Sequence, residues 1–108
     1  MKRVVPTTFP APLLITPEDL GAAIRAARTH SGFTLVDAAM HCGISKQTMQ
    51  NIETGSGNVS LAAALSAAYL FSVALICMPK SESSGALWDL DQSRKKAASE
   101  ALMDEEYP

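Results

Sequence analysis

The sequence predicts a mainly all-α fold, four to five short helices followed by one short β-strand, and three features predict it. Thr16, Thr34, Ser45 and Ser60 each stand directly before a stretch with helical periodicity, where a hydroxyl accepts from the free N–H groups of a first turn. Gly43 divides two short helical stretches and suits a left-handed turn. Ser72 to Met78 (SVALICM) turns apolar and β-branched before Pro79 stops it.

Residues 1–15 form a flexible arm, broken by Pro6, Pro10 and Pro12. Structure starts at Pro17, since proline suits a first helical turn and Thr16 with Asp19 approximates a capping box. Thr34 caps a helix of Leu35 to His41, in which Ala39 is small enough for a second helix to cross closely. Ser45 caps the next, Lys46 to Glu53, whose Met49 and Ile52 are three apart and face inward with Ala38, Cys42 and Ile44. Ser60 caps a fourth helix, through Leu61, Leu65 and Ala68 to about Leu70.

The inward face of the Lys46 helix leaves Lys46, Gln47, Thr48, Gln50 and Asn51 outward. Amides, a hydroxyl and one cation at the N-terminal end of a helix are the groups that read base edges in a major groove and hold phosphates. A solvated helical hairpin would carry a polar face too, but the combination with the Gly43 turn and both caps favours DNA. Gln47, Thr48, Gln50 and Asn51 are therefore the candidate base readers. Thr34, Lys46, Thr54, Ser56 and Asn58 are the candidate phosphate ligands, the last three in a loop whose glycines let backbone amides approach.

The span from Leu20 to about Leu75 resembles the Cro/C1-type (XRE-like) helix-turn-helix family, with Leu20, Gly21, Ile24, Arg25, Arg28 and then Gly32 matching its opening helix. The resemblance implies a lambda-repressor-like domain in which Arg28 pairs with Glu53 as a structural pair. Two positions depart from the pattern: Leu35 stands where a phosphate-binding glutamine is usual, and Ala38 where a leucine is. Four helices followed by one strand further resemble the HipB-like antitoxins, which implies a homodimer joined by a small intersubunit sheet and a HipA-like kinase toxin as partner. Val73, Leu75 and Cys77 would form the dimer strand, because a lone strand must pair and a second copy offers the same strand.

The C-terminal third opens with a polar linker, Lys80 to Gly85, after which Ala86 to Glu106 forms an amphipathic helix with Leu87, Leu90, Ala97, Ala98, Ala101 and Leu102 available for packing. Trp88, the single tryptophan, is the candidate partner anchor; packing on its own dimer is the alternative. Domains are thus expected at 1–15 (arm), 16–79 (DNA binding and dimerisation) and 80–108 (linker and helical tail).

Composition sets the remaining bounds. A core drawn from 108 residues gains from burial across a dimer. Net charge is −2, unusual for a protein that neutralises phosphates, but it is uneven: Lys2, Arg3, Arg25, Arg28 and Lys46 lie in the first half and Asp104, Glu105 and Glu106 near the end. Lys2 and Arg3 could reach a minor groove or flanking phosphates; a solvated tail is the plainer expectation. Leu61 to Met78 is uncharged, but its serines, Tyr69 and six alanines argue against a membrane span. Cys42 and Cys77 have no CxxC or histidine companions, so free thiols are expected, with no metal and no cofactor. His30 and His41 stand alone, and His41 is expected as a plain surface residue. No nucleophile with a base and no phosphate loop appears, so an enzyme is not expected. A cytoplasmic location is expected, nucleoid-associated when DNA is bound.

The expected function is a homodimeric, sequence-specific repressor on a palindromic operator, the antitoxin of a type II module that represses its own operon. A stand-alone regulator, and a protein-interaction module whose motif has lost DNA binding, are the alternatives.

Overall fold

A computed structural model of the chain describes residues 3–10 and 13–106, with side chains to residue 100. Lys2 and Pro12 of the arm, and the side chains of Ala101 and Leu102, lie outside the described residues. The chain divides into two compact units, Met1–Leu75 and Ile76–Pro108. The first holds α1 (Pro17–His30), α2 (Leu35–Cys42), α3 (Lys46–Thr54) and α4 (Leu61–Leu70); the second holds a 3-10 turn (Lys80–Glu82) and α5 (Ser83–Glu106).

Each helix of the first unit begins on a hydroxyl. Thr16 accepts from the Asp19 amide while the Asp19 carboxylate accepts from the Thr16 amide, a closed capping box with Pro17 in the first turn. Thr34, Ser45 and Ser60 accept from the amides of Asp37, Thr48 and Ala63. Gly43 ends α2 at φ 68°, where a residue with a Cβ would be strained.

The core is small and built largely of alanine. Ile24 and Ala27 of α1, Ala38 and Ala39 of α2, Met49 and Ile52 of α3, and Ala67, Ala68 and Phe71 of α4 and its cap form one buried cluster. Cys42 and Ile44 pack at its rim, half-buried. Small side chains let the axes approach. At Gly21 a Cβ would lie 2.5 Å from the Glu53 carbonyl oxygen, so α1 crosses the end of α3 backbone to backbone. Two aromatics close the cluster: Phe33 meets Phe71 edge-on at 5.5 Å and His41 at 4.8 Å.

Three segments are arranged differently in the single chain from what was expected. No strand forms among the described residues, and the segment of Val73, Leu75 and Cys77 carries no regular structure. Extended backbone becomes a strand only when a neighbour pairs with its N–H and C=O groups, and the described residues supply no such neighbour. Instead the Val73 amide donates to the Ala68 carbonyl at 2.8 Å, closing α4 around Ser72 at φ 60°, and Val73 packs on the core while Leu75 and Cys77 are exposed.

The polar stretch Lys80 to Gly85 is not an irregular linker. It forms the 3-10 turn and the first residues of α5, with the Ser83 hydroxyl donating to the Lys80 carbonyl at 2.6 Å. Serine suits a helix start, and a single glycine in a helix costs only about 1 kcal/mol.

The arm is in part attached. The Thr7 amide donates to Thr29 Oγ1 at 2.9 Å, the Thr7 carbonyl lies 2.9 Å from His30 Nε2, and the Phe9 ring stacks on the His30 ring at 5.2 Å. A buried threonine near the end of α1 thus offers the arm an acceptor that prolines alone do not reveal.

Candidate nucleic-acid interface

The interface is built on the turn at Gly43. Because α2 stops there and Ser45 restarts the chain as α3, the first turn of α3 projects with Lys46 and Gln47 exposed, while Met49 and Ile52 anchor its other face in the core. Gln50 is exposed one turn on. A row of neutral donors and acceptors beside one ammonium group can pair with base edges and place a helix against phosphates.

Three of the four candidate base readers are engaged with neighbours on α3 or its cap. The Ser45 hydroxyl donates to Thr48 Oγ1 at 2.9 Å, so half-buried Thr48 completes the helix cap. Gln47 Nε2 donates to Asn51 Oδ1 at 3.0 Å across one turn, and Asn51 is half-buried. Gln47 and Gln50 are the more open of the set.

The candidate phosphate ligands fall in two places. Half-buried Thr34 caps α2, its hydroxyl 3.1 Å from the Asp37 amide. Thr54, the last residue of α3, and Ser56 and Asn58 of the loop after it are exposed; Thr54 Oγ1 donates to the Gln50 carbonyl at 2.9 Å and lies 2.7 Å from Ser56 Oγ. Gly55 and Gly57, at φ 69° and 71°, turn this loop. Lys46 is the cation of the exposed α3 face, and Asp37 places a carboxylate in the first turn of α2.

Beneath the face lies the element that orients it. Arg28 holds the Glu53 carboxylate through Nε and, at 2.9 Å, through Nη2, while Nη1 donates to the Phe33 carbonyl at 2.7 Å. The guanidinium therefore joins the end of α1, the end of α3 and the approach to α2. Both side chains are buried, so this arginine is a strut and its charge is not offered to solvent.

Two ionisable groups are shifted by their surroundings. Amides of Ile15 and Thr16 donate to the Asp19 carboxylate and hold it below its ordinary range. Partial burial pushes the Cys42 thiol up. Cys42 and Cys77 are free thiols, and no group of three metal-ligating side chains gathers among the described residues. His41, expected as a plain surface histidine, lies edge-on to Phe33. Trp88 is 65% exposed on α5. None of the helices among the described residues is long and apolar enough to cross a membrane.

Phe33, Phe71 and Thr29 carry more of the architecture than their sequence contexts announce. Phe33 has a readable signal, an apolar side chain directly before a helix cap. Phe71 sits beyond the end of its helix and Thr29 among polar neighbours, so periodicity marks neither.

No characterised protein and no solved structure matches the chain. Residues 19–75 match a family described as a helix-turn-helix domain, and this stretch contains α2, the Gly43 turn and α3 together with α1 from Asp19 and the whole of α4. The chain belongs to that helix-turn-helix family, of the Cro/C1 type, and is by that membership a DNA-binding regulator.

Proposed function

We propose that the protein is a sequence-specific transcriptional repressor that binds a palindromic operator as a homodimer. The observation that carries this reading is the open, amide-bearing first turn of α3, held in place by the Arg28–Glu53 pair. One α3 per subunit enters successive major grooves; Gln47 and Gln50 read base edges, and Lys46 with the Thr54–Asn58 loop holds phosphates. Thr48 and Asn51 support those readers, since both are half-buried and hydrogen-bonded to Ser45 and Gln47.

A second copy is called for by the surface of α4. This helix has no charged residue, yet Leu61 is 71% exposed and Tyr69 88% exposed. Covering such a face is what a dimer interface does, and the exposed segment of Leu75 and Cys77 supplies backbone that a second copy can pair.

The antitoxin role extends this reading. Its support is the order of the four helices shared with HipB-like proteins, and the partner it implies is a HipA-like kinase toxin, with Trp88 as the exposed aromatic for docking.

Co-purification with the products of neighbouring genes, followed by a mobility-shift assay on the chain's own upstream DNA, tests all three layers. A specific shift with a captured kinase supports the antitoxin-repressor. A specific shift without a partner leaves a stand-alone repressor, and capture without a shift means the fold serves protein contacts.

A further inference from the structure

The end of the arm, the start of α1, the end of α3, the loop after it and α4 enclose a cleft of about 510 Å³. Leu20, Ile52, Val59, Ala64 and Leu75 supply apolar walls, and no charged side chain lines it. Small-molecule sites have volumes of roughly 300 to 1,000 Å³ and combine apolar walls with a few polar groups that fix orientation. Most polar groups of this cleft are already engaged. The hydroxyls of Thr16 and Ser60 cap α1 and α4, and that of Ser56 pairs with Thr54.

The group left over is the half-buried Asn51 carboxamide. Its Oδ1 accepts from Gln47 Nε2 at 3.0 Å, and among the described residues Nδ2 has no hydrogen-bond partner. Turning both amides together keeps that bond and exchanges the roles, so in either arrangement one polar atom of Asn51 stays unused. Gly57 bounds this end of the cleft, where a Cβ at position 57 would lie 2.9 Å from Nδ2. A hydroxyl both donates and accepts, and so satisfies Asn51 in either arrangement. An ionic group would be desolvated among apolar walls with no counter-charge, which is costly.

Asn51 also connects the cleft to the face of α3. Its carboxamide meets the cleft on one side and, on the other, Gln47, an exposed residue of the first turn of α3. The loop that carries Ser56 and Asn58 forms another wall through Gly55 and Gly57. A molecule bound there touches both parts that would meet DNA.

We propose that this cleft is an effector site for a neutral, mainly apolar small molecule carrying a hydroxyl group, held by Asn51, and that its occupancy changes operator affinity. The effector role rests on the DNA-binding reading of α3 above.

An NMR titration of the full chain with naphthol, and with naphthalene as the hydroxyl-free probe, tests the site. Naphthol should move the amide signals of Gly55 and Gly57 and of the Asn51 side chain, and should bind roughly fivefold more tightly than naphthalene. Asn51→Leu, of similar size, should bring the two probes to equal affinity. Ala64→Phe, which fills the cleft, should abolish binding of both; Ala64→Leu replaces it if circular dichroism shows the first variant unfolded. Fluorescence anisotropy on the chain's own upstream DNA tests the role. Saturating naphthol should change operator affinity about fivefold or more, and the DNA should change naphthol affinity by the same factor.

No binding of naphthol, binding that survives the filling of the cleft, or equal affinity of the wild-type chain for the two probes overturns the site. Cleft signals that move with protein concentration and not with naphthol assign the cleft to a second copy, and overturn it too. Binding in the cleft with unchanged operator affinity overturns the effector role. A chain that takes up naphthol in the cleft but binds no DNA, with or without it, overturns the DNA reading and leaves the site standing.

Discussion

Arg28 and Glu53 are twenty-five positions apart in the chain and form a buried, two-pronged ion pair that joins the end of α1 to the end of α3. Removing one partner strands the other charge in the interior. Glu53→Leu or Arg28→Met should each destabilise the domain by about 3 to 5 kcal/mol, and the double variant Arg28→Met/Glu53→Leu by clearly less than the sum. Urea unfolding of the four proteins checks this. Additive losses would mean the two side chains act independently.

Gly21 and Gly43 are required for different reasons. A Cβ at Gly21 overlaps backbone atoms of α3, whereas a Cβ at Gly43 meets nothing within 4 Å but sits at φ 68°. Gly43→Ala should therefore cost about 1 to 2 kcal/mol of backbone strain. Gly21→Ala gains roughly 1 kcal/mol of helix propensity yet should still be the more damaging change, because α1 must move away from α3. Unfolding midpoints of the two variants decide the order.

Asp19 sets a pH limit on the start of α1. Its carboxylate is held low first by the Ile15 amide and then by the Thr16 amide, so the folded value is depressed relative to the unfolded chain. The stabilisation is thus present above the ordinary carboxylate pKa of about 3.9. It is lost as pH falls through the lower folded value. An NMR titration should show the Ile15 and Thr16 amide shifts moving together at a pH below the ordinary carboxylate range, and Asp19→Asn should remove that transition.

Lys46 provides a test of phosphate binding. In the proposed dimer on DNA, Lys46→Ala should weaken binding to all sequences alike and reduce the slope of log affinity against log salt by about one for each phosphate left without its lysine. Fluorescence anisotropy across a salt series measures that slope, and an unchanged slope would remove Lys46 from the interface.

Local signals are enough for much of this fold. Thr16, Thr34, Ser45 and Ser60 start α1 to α4 because a capping hydroxyl acts on an amide three residues away. Gly43 ends α2 because backbone strain is a property of one residue. Met49 and Ile52 enter the core because helical spacing places them on one face. The amide-bearing face of α3 was legible for the same reason.

Packing settled the rest, wherever the partner of a group lies far along the chain. Phe33 and Phe71 meet only when α2 and α4 pack, and Thr7 finds Thr29 only when the arm folds back on α1. The β-branched run at Val73 carries strand propensity, but a strand depends on a pairing neighbour, and within the single chain Val73 packs against the core instead. Side-chain occupancy follows the same division. Residue order alone brings Gln47, Thr48, Gln50 and Asn51 together on one short helix. Which of them keep free polar groups depends on how their side chains settle in three dimensions, because each donor taken up by a neighbour is one fewer for a base edge.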